Sequence, residues 1–140
     1  VLDLMTALRT MVLADSNISA LVDTRVYMNR IPKAVIEAAD TFHPPKMLVL
    51  RQAGGFGKAD TLHTDDQTVS ALCYGETDYE ADSVRRAVWQ AFVDLDRATH
   101  DEVLIHHINP TGGPIPSVEP DLVWPVIAQS FTVKANLKEA

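Results

Sequence analysis

Between residues 77 and 96 the apolar side chains Ala81, Val84, Val88, Phe92 and Leu95 recur in steps of three and four, with Trp89 beside them. Asp82, Arg85, Arg86, Gln90, Asp94 and Asp96 fall mostly elsewhere on the wheel. That spacing draws one apolar stripe along a long helix. Thr77 and Glu80 are spaced as a capping box, and Asp78, Glu80 and Asp82 place negative charge at the positive end of the helix dipole. The segments on either side, 66–74 and 102–109, alternate apolar and polar positions and predict strands that give the helix a sheet to lie on.

The remaining elements follow from the same patterns. Residues 2–14 read as a first helix, with Leu4, Leu8, Met11 and Val12 on its buried side and Arg9 on its wet side. Its apolar face is wide, extended by Leu2, Met5, Ala7 and Leu13, which fits either deep burial or contact with a second subunit. Ser16 or Asn17 caps a short helix through Val22. Residues 25–29 form a short strand, and Pro32 opens a turn of helix through Ala39. Residues 46–53 form a strand apolar on both faces, Met47 and Val49 on one and Leu48 and Leu50 on the other, which suggests a central position. Residues 54–64 read as a glycine-rich loop, 99–102 as a turn and 109–120 as a proline- and glycine-rich loop. Residues 123–135 form a long last strand in which Val123, Ile127, Phe131 and Val133 share a face with Gln129. The expected fold is a single α+β domain over 1–140: a mostly antiparallel sheet of four to five strands, packed by the long central helix and the N-terminal helix.

Composition narrows the function. With 140 residues, 46% hydrophobic and 22% charged, the chain has enough material for one core. A net charge of −7 argues against gripping nucleic acid through its phosphates or an anionic membrane surface. The single Cys73 allows no internal disulfide, no apolar run reaches membrane-spanning length, and the sequence does not open with a signal-peptide pattern.

No chemistry-bearing motif emerges. Gly54, Gly55, Phe56, Gly57 and Lys58 look faintly like a phosphate loop, but Gln52 stands where its first glycine belongs and Ala59 where its serine or threonine belongs. His106 and His107 are neighbours on a strand and should point to opposite faces, so a shared metal is disfavoured. Cys73 sits mid-strand on an apolar face, the setting of an inert thiol. No carboxylate pair shows a catalytic context, and Ser70 and Ser83 lack a nucleophile elbow. The expectation is therefore no catalytic residue, no cofactor and no metal, and a structural or interaction role.

The whole pattern resembles the tail-completion, or tail-terminator, proteins of long-tailed bacteriophages and related gene transfer agents. The matching features run nearly the full chain: a first helix ending in Ala14-Asp15-Ser16, then Ile18-Ser19-Ala20-Leu21-Val22 leading to Arg25-Val26-Tyr27, and Pro44-Pro45 before the 47–51 strand. The 69–74 strand then leads through Gly75 into the acidic-capped helix with Ala87-Val88-Trp89, followed by the strands 103–108 and 129–133. The resemblance implies a non-enzymatic virion protein, assembled in the host bacterial cytoplasm. It implies a homo-oligomeric ring, usually a hexamer, at the head-proximal end of the tail tube. Such a ring ends tube polymerisation and meets the neck and connector proteins, while genomic DNA passes through without specific binding; an acidic lumen would repel its phosphates. On that reading the two predicted loops reach neighbouring subunits or rings, and Gly54, Gly55, Phe56, Gly57, Lys58, Gly112, Gly113 and Ile115 are the candidate contacts, with Phe56 and Ile115 as apolar anchors. A neck adaptor or stopper ring is the nearest alternative; a small α+β enzyme or ligand-binding module is the alternative of another class.

Overall fold

A computed structural model describes residues 4–39, 43–55, 64–100, 102–118 and 124–136. In chain order the elements are α1 (Leu4–Ala14), α2 (Ser16–Val22), β1 (Val26–Met28), α3 (Lys33–Ala38), β2 (Met47–Gly55), β3 (Thr64–Tyr74), α4 (Asp78–Val93), β4 (Ala98–His100), β5 (Val103–Val118) and β6 (Pro125–Asn136). The six strands form one curled sheet in the order β1-β2-β3-β6-β5-β4. Five strands were the most expected. The addition is the short β4, on the 98–100 segment partly expected as a turn, while the expected β1 pairs parallel to β2 rather than antiparallel to a neighbour. The sheet is therefore mixed, antiparallel everywhere except at that pair.

The stripe on α4 lands as its spacing demands. Ala81, Val84, Val88 and Phe92 are buried, and the Phe92 ring meets Phe131 of β6 edge-on, centroids 4.9 Å apart. Thr77 Oγ1 accepts the N–H of Glu80, but the Glu80 carboxylate takes the N–H of Glu76, one residue before the expected capping-box partner. Gly75 lets the chain turn from β3 into this helix: a Cβ there would lie 2.7 Å from the Ala81 nitrogen and 2.8 Å from Glu80 Cβ. The helix start thus sits against a position only glycine fills.

The wide face of α1 is used within its own subunit. Ala7, Leu8 and Val12 are fully buried, Met5 and Leu13 pack on the same cluster, and the helix touches α2, β1, β2 and β4. Because β1 and β4 are the two ends of the strand order, the curl lets one helix bridge both. A face that reaches both ends of a sheet must be broad, so deep burial accounts for its width. Asp15 rather than Ser16 or Asn17 caps α2, its side chain accepting from the backbone N–H of Asn17 and Ile18.

β2 is buried on both faces as expected. Leu48 and Leu50 join the cluster under α1 and α4, while Met47 and Val49 join a second cluster with Ile31, Tyr74, Trp124 and Val126 on the opposite face. α3 lies over that second cluster, with Pro32 at its N-cap, and none of its own residues is buried.

The main departure from expectation is the segment 109–120. It is a strand rather than a loop as far as Val118, the outer half of β5. The prolines and glycines are compatible with pairing for two reasons. β4 reaches only Val103 to Ile105, so among the described residues no strand pairs with the outer side of the rest of β5, where a proline lacking its N–H breaks no ladder. Gly112, Gly113 and Pro114 fall inside a bulge between Thr111 and Ile115, opposite Gln129 alone, and Gly112 takes the positive φ of 78° that glycine tolerates.

Candidate interaction surface

A second bulge shapes the inner half of β5. Ile105 pairs with Ala135 and His107 with Lys134, so His106 is the extra residue. Ile105 and Ile108 are both buried, three positions apart, which puts His106 and His107 together on the side away from the main core instead of on opposite faces. His106 Nε2 meets Asn136 Oδ1 at 2.9 Å and His107 Nδ1 meets Asn109 Nδ2 at 3.1 Å. Among the described residues no three His, Cys, Asp or Glu side chains are grouped as a metal site. Burial pushes the Cys73 thiol up to about 12, against the lowering effect of the Arg85 charge, so no thiolate forms near neutral pH.

What the fold does build is an exposed apolar edge. From Val103 to Val118 there is no Asp, Glu, Lys or Arg, although 22% of the chain is charged. Past Ile108 this strand has no buried residue, and Ile115 is 66% and Val118 54% exposed. Residues directly opposite each other in the ladder share a face. Ile115 therefore lies with Ala128 on the side of the Trp124 cluster, and Val118 with Pro125 on the α4 side. Exposed edges are ordinarily guarded by charge, proline or bulges; this one has prolines and bulges but no charge.

Behind the edge, between β5 and α4, is a cleft of about 550 Å³ lined by Arg86, Trp89, Gln90, Pro110 and Pro114, with Gln129 at its base. Gln129 is the one buried polar side chain among the described residues; its amide donates to the carbonyls of Gly112 at 3.0 Å and Ser130 at 3.1 Å. A side chain from β6 thus fills the gap that the bulge opens and fixes the bulged backbone. On the helix side Trp89 is 36% exposed rather than in the core stripe; with Tyr79, Arg86 and Val93 it marks an outer stripe in steps of seven, three and four. Arg85 Nε donates to Asp82 at 2.7 Å, Arg86 Nε lies 3.2 Å from the same carboxylate, and the Arg86 guanidinium sits 5.6 Å from the centroid of the Tyr79 ring. Both arginines beside the cleft therefore share the one Asp82 carboxylate.

The candidate contacts divide. Gly112, Gly113 and Ile115 belong to the exposed edge, and a Cβ on either glycine would meet nothing. Gly54 and Gly55 are the end of β2, where Gly55 pairs with Gln67 after a register shift. Phe56, Gly57 and Lys58 lie outside the described residues. β3 and β6 stand between β2 and β5, so the two groups are not brought together, being three strand spacings, roughly 14 Å, apart. Sequence reasoning did not single out Trp89 or Gln129 as part of this surface. A polar residue on an otherwise apolar strand face was the available sign for Gln129, and the charge-free run was the sign for the edge.

The fold has a known counterpart. A chain in a solved structure described as "Virion of native gene transfer agent (GTA) particle" superimposes with a TM-score of 0.67, covering 94% of this chain and 93% of that one, at 15% identity. The two chains share a fold. No protein family and no curated protein matches the sequence. No described helix is long and apolar enough to cross a membrane.

Proposed function

We propose that this protein is a structural component of a phage-like virion that forms a ring, as a homohexamer, at the head-proximal end of a tail tube. There it ends tube polymerisation and joins the tail to the neck and connector proteins, and DNA passes through the ring without specific binding. The observation that carries this reading is the near end-to-end fold likeness to a chain of a gene transfer agent particle. A long sheet edge without charge, exposed on both faces, supports it, because such a surface is stable in water only when sparingly displayed or covered. The net charge of −7 suits a channel that lets a polyanion slide. In this reading the protein is not an enzyme, and Gly112, Gly113 and Ile115, with Gly54, Gly55, Phe56, Gly57 and Lys58, contact neighbouring subunits or the adjoining ring.

The test is to add the purified protein to polymerising phage tail-tube protein. Tubes of fixed length bearing a ring at one end are expected. Tubes that grow on unchanged, with the protein left free, would refute the terminator role. Binding to isolated portal or neck rings, with none to tubes, would point to the adaptor position instead.

A further inference from the structure

We infer that three prolines bar the outer side of β5 to another strand, so that a second copy of this chain cannot extend the sheet there by backbone pairing. The inference stands apart from the ring reading and holds for a subunit in any assembly.

Register fixes which way each proline nitrogen points. In an antiparallel ladder one residue turns both its N–H and its C=O toward the partner strand, and the next turns both away. A proline, with no N–H to give, fits where its nitrogen points away from the partner. Pro110 pairs with Phe131 and Pro116 with Ile127. Those two β6 residues are four apart, so their backbone groups point to the same side. Pro110 and Pro116 therefore keep one sense across the bulge between them, turned from β6 to the outer side. Pro114 stands two residues before Pro116, just ahead of the point where pairing resumes at Ile115, and shares that sense.

Beyond β4 the regular outward slots of this strand are Ile108, Pro110, Pro114, Pro116 and Val118, and only the first and last of them carry an N–H. Between Pro110 and Pro114 the chain bulges at Gly112 and Gly113, with Gly112 at a φ of 78°, so the edge is not straight there either. An arriving strand would meet outward carbonyls without the alternating donors that a ladder needs. Any proline in this strand has to face outward. What is particular here is that prolines take three of the five slots and leave no two neighbouring donors.

The edge calls for such a bar. It has no charged residue from Val103 to Val118, and Ile115 and Val118 are exposed on its two faces. Without proline, an uncharged exposed strand is a template for pairing with its own copies. Charge would stop that pairing too, but it would also spoil the edge for apolar packing. Proline removes the backbone donors and leaves the Ile115 and Val118 side chains usable.

The experiment restores the donors. Pro110→Thr, Pro114→Thr and Pro116→Thr are combined in the full chain; threonine suits a strand and adds no apolar bulk. Analytical ultracentrifugation and residue-resolved amide exchange are run on the parent and the variant. The variant should self-associate at least about 100-fold more tightly than the parent, as several added hydrogen bonds allow. Its amides at 110, 114 and 116 should gain protection as it does so. Adding Ile115→Lys and Val118→Lys to this variant should abolish the association, charge taking over from proline. A folded variant that associates no more than the parent, with those three amides exchanging freely, would overturn the inference, and so would association that survives the added lysines. The parent gives a check that needs no variant to fold: the amides of Asn109, Thr111 and Ile115 should be protected by β6, and that of Val118 should exchange freely. The reverse order would overturn the outward placement of the prolines.

Discussion

Replacing Gln129 with leucine tests whether the β5 bulge is held from within. The buried amide makes two hydrogen bonds, to the carbonyls of Gly112 and Ser130, and leucine preserves most of the volume while making neither. A buried hydrogen bond contributes about 1 kcal/mol net, so losing both should cost about 1–2 kcal/mol. The lower part of that range is favoured because Gly112 is exposed and its carbonyl can turn to water. For a domain of this size that is a fall in Tm of roughly 3–6 °C. Urea unfolding gives the global number. Amide hydrogen exchange gives the local one: protection should fall first across 110–116, while the amides of α4 keep theirs. A loss under about 0.5 kcal/mol together with unchanged exchange in the bulge would refute the idea that Gln129 fixes this edge. Because Gly112, Gly113 and Ile115 are among the proposed ring contacts, ring formation should weaken in the same variant.

Other perturbations probe the rest of the account. Gly75→Ala should destabilise by about 1–3 kcal/mol in urea unfolding, since a Cβ would press on the backbone of the first turn of α4 from 2.7 Å; a neutral result would mean the helix start can shift freely. Thr77→Ala and Asp15→Ala each remove a helix cap and should each cost about 1 kcal/mol, additively, because the two caps serve separate helices. Cys73 should not react with a thiol reagent until the chain unfolds, with its thiol pushed up to about 12 by burial. The sign for stability follows: the folded chain keeps this proton where the unfolded chain loses it. Parent stability should therefore fall relative to Cys73→Ala as pH rises from 9.0 toward 12, by up to about 1.4 kcal/mol per pH unit, and match its trend below that window. Parallel curves throughout would show that Cys73 is not buried.

The helix stripe, the two-faced β2 and the alternation in β3 and β6 were legible because each rests on local spacing, and the core faces follow from them. What could not be read locally depended on partners distant in sequence. Segment 109–120 carries every sign of a loop, and pairing with β6 makes it a strand as far as Val118. β1 was expected as a strand, but its parallel pairing is a property of the crossover. The histidine pair was assigned to two faces by strict alternation, which a single bulge residue overrode. Trp89 follows the helix spacing well enough to suggest the core stripe, yet it falls one position aside, and a large ring there borders a cleft. Of the candidate contacts, Ile115 was recognisable as an apolar residue among turn formers. A groove beside α3 was not legible, because it joins residues of that helix to Pro45, beyond the helix end.

The central claim is that this chain works as identical copies closed into a ring on a tail tube. The most direct measurement is electron cryomicroscopy of the protein mixed with its tail-tube protein. The account requires a closed ring of repeated subunits at one end of each tube, with the β5 edge of every copy covered by its neighbour. Tubes with bare ends beside free, solitary subunits would contradict it.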